Sequence, residues 1–164
     1  MCTPENFAYR QAHAQPFFKV AVATNAATGS DSATPPRVLG FVVGTLSASS
    51  KLEHDSMFSH APNGGYLCIH SVVVDPALRR RGLARAMLLE FVRAIRRENS
   101  SGAVKAIILI AKADLVPFYT SCGFALQGKS DVVHGADEWF ECRMKLEEAE
   151  EAAAESSAAS GSHS

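Results

Sequence analysis

Apolar positions along the chain follow two periods, and the places where one gives way to the other predict the elements. Four stretches are dense in β-branched or aromatic residues: 16–23 (PFFKVAVA), 38–48 (VLGFVVGTLSA), 66–74 (YLCIHSVVV) and 104–111 (VKAIILIA). They predict strands, and 124–128 and 139–146 predict two more. Val72, Val73 and Val74 are apolar on both faces, which marks 66–74 as a central strand. Between two of these strands the period changes. Leu83, Ala84, Met87, Leu88, Phe91, Val92 and Ile95 recur at three and four, the buried stripe of a helix, with Arg96 and Arg97 late in it. A strand, a helix and a strand in succession imply parallel pairing of the two strands.

The shorter signals complete the layout. Thr3 before Pro4 predicts a short helix at the start. Asp114 is placed to cap another, with Pro117 in its first turn and Cys122-Gly123 ending it. The strands at 16–23 and 38–48 are expected to pair antiparallel, and Gly40 and Gly44 predict bulges or close backbone approach. Residues 24–37 read as a flexible loop. From 147 to 164 an acidic, Ala/Ser-rich tail reads as disordered, leaving 1–146 as one domain.

The stretch 67–97 organises the rest. A strand feeds Arg79-Arg80-Arg81-Gly82, which opens directly into the helix. Free backbone N–H groups, the positive end of a helix dipole and cationic side chains thus meet in one turn, which outlines a phosphate site. A solvated basic turn is the other reading. The chain has neither GxGxxG nor GxxxxGK[ST], so dinucleotide and Walker fingerprints are excluded.

Composition narrows the class. With 164 residues, 47% hydrophobic and 20% charged, the chain has enough apolar residues for a packed core. A formal net charge of −1 argues against a broadly basic nucleic-acid binder and makes any anion site local. Cys2, Cys68, Cys122 and Cys142 form no CxxC pair, so a reduced, cytoplasmic setting is expected. No run reaches membrane-spanning length.

Two further residues are candidates for chemistry. His70 shares one face of its strand with Cys68 and Val72 if alternation is strict. An imidazole with an ordinary pKa of about 6.5 suits deprotonating an amine, although a lone histidine also serves as a hydrogen-bonded core residue. Tyr119 carries a phenol able to protonate a leaving thiolate, or else anchors its short helix by packing. His54 and His60 do not make a metal-ligand pattern with His70, and no metal site is expected.

Taken together, VVVDPALRRRGLA and, some thirty residues on, DLVPFYTSCGF resemble the GNAT superfamily of acetyl-CoA-dependent N-acetyltransferases. Arg79-x-x-Gly82-x-Ala84 matches its coenzyme signature. LEHDSM at 52–57, CIHSVVVDP at 68–76 and DLVPFYTSCGF at 114–124 resemble more narrowly the arylalkylamine (serotonin-type) members, particularly fungal and microbial ones. The resemblance implies an α/β fold with a mixed central sheet flanked by helices, mostly parallel at its centre. It implies acetyl-CoA lying along Val72, Val73 and Val74, with its pyrophosphate in the turn formed by Arg79, Arg80, Arg81, Gly82, Leu83, Ala84 and Arg85. Val72 and Ile110 would line the acceptor amine, His70 would relay its proton, and Tyr119 would protonate the departing coenzyme.

Two departures from the family pattern carry expectations. Cys68 stands where vertebrate members have a second histidine, so a part in catalysis for this thiol is one reading. The family's usual first strand and helix have no counterpart before residue 7, so the sheet is expected to lack an outer edge. The implied reaction is direct transfer to a small-molecule amine, without metal, nucleic acid or membrane. Two alternatives stay open: a polyamine or diamine acceptor, with Glu53 and Asp55 as carboxylates for a distal ammonium, and a non-catalytic acyl-CoA-binding domain. Oligomeric state is not legible in the sequence.

Overall fold

The computed structural model describes residues 3–23, 36–52, 58–132 and 137–146. The loop expected over 24–37 lies outside them except for its last two residues, as do Cys2, Glu53, His54, Asp55 and the tail from 147. Helix α1 spans Pro4–His13; the Thr3 hydroxyl caps it by accepting the Asn6 N–H at 3.4 Å. A 3-10 turn, Gln15–Phe17, takes Pro16 and Phe17 out of the expected first strand, so β1 runs Phe18–Ala23.

The remaining elements are β2 (Arg37–Ser47), β3 (Tyr66–Val74), α2 (Leu83–Glu98), β4 (Ala106–Lys112), α3 (Val116–Ser121), β5 (Ala125–Lys129) and β6 (Trp139–Lys145). The strands form one sheet in the order β1-β2-β3-β4-β6-β5. The sheet is mixed, as expected, but its parallel pairing is confined to β3 and β4, and every other junction is antiparallel. The C-terminal hairpin explains this: β6 turns back to lie between β4 and β5.

Helices cover both faces. Leu88, Phe91, Val92 and Ile95 of α2 pack on Val42, Leu46, Leu67, Ile69, Ile107 and Leu109 of the sheet. Ala94 is buried as well, which widens the stripe read from the sequence. On the other face α1 seats Phe7 edge-on against Phe41, with ring centroids 5.4 Å apart. A smaller cluster of Leu52, Cys68, Ile108 and Val132 lies on that same side of β3 and β4.

Two local details correct the sequence reading, and a third agrees with it. Val104 is not in β4, because its backbone N–H and C=O are both taken by the Asn99 side chain, at 2.9 and 2.7 Å. Asp114 does not cap α3. The chain leaves β4 through a 3-10 turn, Ala113–Leu115, which puts Leu115 at the cap position with no side-chain bond. Gly40 does mark a close approach: a Cβ there would sit 2.4 Å from the Val73 carbonyl oxygen. At the outer edge of the sheet Val20 and Val22 of β1 remain 46% and 42% exposed.

Candidate active site

The site begins with a strand pair that stops early. β3 and β4 pair at Tyr66↔Ala106, Leu67↔Ile107 and Cys68↔Ile108, and no pair follows. Both strands continue, β3 to Val74 and β4 to Lys112, so they part. Along residues 72–74 β3 has no strand paired on its β4 side among the described residues, while the other side stays bonded to β2. An extended ligand with its own amides can add there.

A bulge sits at the base of this split. Val43 pairs with Ser71 and Gly44 with Ile69, which leaves His70 as the extra residue of β3. The bulge shifts the alternation by one. Cys68 belongs to the smaller cluster on the α1 side, and Val72 packs with the main core on the α2 side. Strict alternation placed Cys68, His70 and Val72 on one face, and the bulge overturns that. Val72 and Ile110 are also separated: Val72 faces the α2 side, and Ile110 packs on the smaller cluster.

Past Val74 the chain is held in a tight turn. The Asp75 carboxylate accepts the Ala77 N–H at 2.9 Å and pairs with Arg37 at 2.7 Å; the Arg37 hydrogen bond lowers its pKa most. The Arg79 Nε donates to the Val74 carbonyl at 3.3 Å. Arg80 and Gly82 both adopt the left-handed conformation, at φ 62° and 78°. Gly82 then opens the 16-residue α2 with no side-chain cap, so its first N–H groups face outward. The Arg85 guanidinium donates to the Ser121 carbonyl at 3.3 Å and ties α2 to the end of α3.

These elements enclose a groove of about 700 Å³. Val72, Val73, Val74, Arg79, Arg80, Gly82, Leu83, Ala84, Arg85 and Tyr119 all line it, so ten of the residues singled out in the sequence converge. Arg81 is exposed and does not line it. Leu78, Leu115 and Phe118 line it too and were missed. Phe118 had a signal in its place beside Tyr119; the two leucines had none beyond apolar character next to a turn.

The titratable groups divide by environment. Burial among aromatic and sulfur neighbours pushes the Tyr119 phenol up to about 12, with Cys142 and Cys122 adding to it, so it stays protonated. Tyr119 packs edge-on against Phe124 and Phe118, which holds its ring in place. Cys68 is 0% exposed, and burial raises its thiol to about 12 against a small opposing effect of Ser47. It is a packed, neutral thiol, not a substitute for a second histidine.

His70 lies outside the groove lining, on the α1 side of the bulge. Its Nε2 is 2.8 Å from the Thr45 hydroxyl, and its buried Nδ1 has no partner among the described residues. Burial, and then the charge of the 3% exposed Arg10, push its pKa down to about 3. The imidazole is therefore neutral at pH 7 and a weaker base than its ordinary value suggests. Among the described residues no three of His, Cys, Asp and Glu gather as metal ligands would, and no helix is long and apolar enough to cross a membrane.

Comparison with known proteins identifies this arrangement. Serotonin N-acetyltransferase of Mesocricetus auratus is 27% identical over 110 residues, covering 67% of this chain and 52% of that protein. The chain thus spans about half the length of the curated relative it matches. Among solved structures, the NatC complex bound to Gag peptide and CoA aligns over 90% of the chain and 82% of its own, with TM-score 0.63 at 14% identity. The ribosomal-protein-S18-alanine N-acetyltransferase from Escherichia coli aligns over 90% and 79%, with TM-score 0.58 at 14% identity. The family model for the acetyltransferase (GNAT) domain matches residues 37–126, more than half of the chain. That span runs from β2 into β5 and contains every wall of the groove, and the chain belongs to the GNAT acetyltransferase family.

Proposed function

We propose that this chain, through residues 1–146, transfers the acetyl group of acetyl-CoA to the primary amine of a small molecule of the tryptamine, serotonin or phenylethylamine type. One observation carries the reading: the groove of about 700 Å³ joins an uncapped helix N-terminus, with its arginines, to unpaired strand backbone and then to Tyr119. The similarity to serotonin N-acetyltransferase supports the acceptor class, and the CoA of the NatC complex supports the donor.

Each part of the groove has a task in this reading. The N–H groups at the start of α2 receive the pyrophosphate, and Arg80 and Arg85 add charge. Gly82 has no atom within 4 Å of where a Cβ would stand, so the backbone lies open to the phosphates. Residues 72–74 hydrogen-bond the pantetheine amides and aim the thioester into the split between β3 and β4. Acetyl-CoA supplies the activated acyl carbon. Backbone N–H groups of β3 steady the oxyanion as the neutral amine attacks. His70, on the α1 side of the split, takes up the amine proton only in passing and passes it on to solvent, because its low basicity prevents it from storing that proton. Tyr119, protonated at neutral pH, delivers its hydrogen to the departing thiolate.

The test is free-thiol release from acetyl-CoA in the presence of tryptamine, phenylethylamine, serotonin, spermidine or putrescine. Release driven by the arylalkylamines supports the proposal. Release with the polyamines alone moves the acceptor class to diamines. Coenzyme binding by calorimetry with no release for any amine overturns the enzyme reading in favour of a binding domain.

A further inference from the structure

A second histidine, His60, bonds β2 one residue past the Thr45 that meets His70, at a place where the sheet changes its partner. β1 covers the outer edge of β2 only as far as Val43, which pairs with Phe18. Beyond it, both outward backbone groups of Leu46 are taken by the loop at 58–64. The Leu46 N–H donates to His60 Nδ1 at 3.1 Å, and the Leu46 carbonyl accepts the Ala61 N–H at 2.9 Å. The loop lies flush on the strand: a Cβ on Gly64 would stand 2.5 Å from Ser47 backbone atoms. His60 thus completes the sheet edge with a side chain where β1 has run out.

The bond specifies the protonation state. An imidazole nitrogen that accepts an amide N–H is unprotonated, so His60 is neutral with its proton on Nε2. Around it, α1 supplies two titratable groups. The Tyr9 hydroxyl accepts the backbone N–H of His60 at 3.3 Å, and His13 packs at a tilt against Tyr9 with centroids 4.6 Å apart. Phe17 adds an uncharged ring at 6.0 Å, and Leu46 of β2 presents only backbone. The other charged groups of α1 are Glu5 in its first turn and the buried Arg10, whose charge acts on His70. Burial and the nearby His13 lower the His60 pKa, in line with the neutral form.

Leu46 follows Thr45, whose hydroxyl is 2.8 Å from His70 Nε2. We propose that neutral His60 is a positioning residue: by accepting the Leu46 amide it fixes the end of β2 that presents Thr45 to His70, and its protonation releases that end. The kinetic consequence rests on the acetyl-transfer reading above. The structural consequence does not, and the test separates them.

The first readout is NMR on the free 164-residue chain. The His60 ring resonances give its titration, and amide exchange gives the protection of Leu46 at each pH. As pH falls from the ordinary imidazole value of about 6.5 toward the lowered His60 midpoint, Leu46 protection falls about tenfold per pH unit, as loss of a bond gated by one proton requires, and below the midpoint it stays low. His60→Asn keeps an acceptor that does not titrate, and its Leu46 protection stays level. His60→Phe keeps a ring against Phe17 but accepts nothing, and protection is low throughout. Level Leu46 protection across the wild-type titration overturns the proposal.

The second readout is turnover. His60→Phe lowers kcat about tenfold with the KM for acetyl-CoA unchanged, and His60→Asn recovers it. A Phe variant with wild-type kcat overturns the positioning role. If the wild-type protein acetylates no amine but Leu46 protection follows His60, the functional reading fails and the latch stands.

Discussion

Acidification should destabilise this protein through His70 by an amount that can be worked out in advance. In the unfolded chain the imidazole has its ordinary pKa of 6.5; folded, burial and Arg10 hold it at about 3. The folded state therefore resists a proton that the unfolded state accepts. The stabilisation from keeping His70 neutral is complete above pH 6.5 and is lost as pH falls from 6.5 toward 3. The slope is about 1.36 kcal/mol per pH unit, so between pH 7 and pH 5 the loss is about 2 kcal/mol. Urea unfolding of the wild type and of His70→Gln at both pH values isolates it. Glutamine keeps a polar partner for Thr45 and does not titrate, so the other histidines cancel in the comparison. The wild type should lose about 2 kcal/mol more than the variant. Equal losses in the two proteins would show that His70 is not held neutral by its surroundings, and the weak-base account of the relay would go with it.

Three further substitutions probe other parts of the structure. Tyr119→Phe should lower turnover by about 10²–10⁴-fold while calorimetric coenzyme affinity is kept, and full thiol release by the variant would remove the phenol from the acid role. Gly40→Ala forces a Cβ against the Val73 carbonyl and should destabilise the β2–β3 junction by about 1–3 kcal/mol, read as a lower thermal midpoint. Asn99→Ala strips both backbone partners from Val104 and should cost about 1–3 kcal/mol in chemical denaturation, without changing the groove.

Much of the fold is legible in the sequence because its signals are local. The stripe from Leu83 to Ile95 specifies a helix with one buried face, and that face packs as its period requires. The Arg79–Ala84 turn follows from a strand running into that helix through Gly82, whose left-handed backbone lets the N–H groups open outward. Tyr119 could be placed because Pro117 and Gly123 bound its short helix. Nothing comparable marks Leu78 or Leu115, which line the groove only because the turn before α2 and the start of α3 come together there.

What the chain alone determines is the set of elements, the arginine-rich turn ahead of α2 and most of the residues that converge on one groove. The partner of each strand, and where each partnership ends, belong to the tertiary structure. Whether β3 bulges at His70 depends on the register that β2 imposes from about twenty-five residues away, so no local pattern distinguished the face of Cys68 from that of Val72. The same holds for His60, which reads as an ordinary loop histidine until β1 stops short and leaves the Leu46 amide for it to accept. Hydrophobic periodicity is written residue by residue, but a backbone hydrogen bond is decided by whichever strand or side chain arrives opposite.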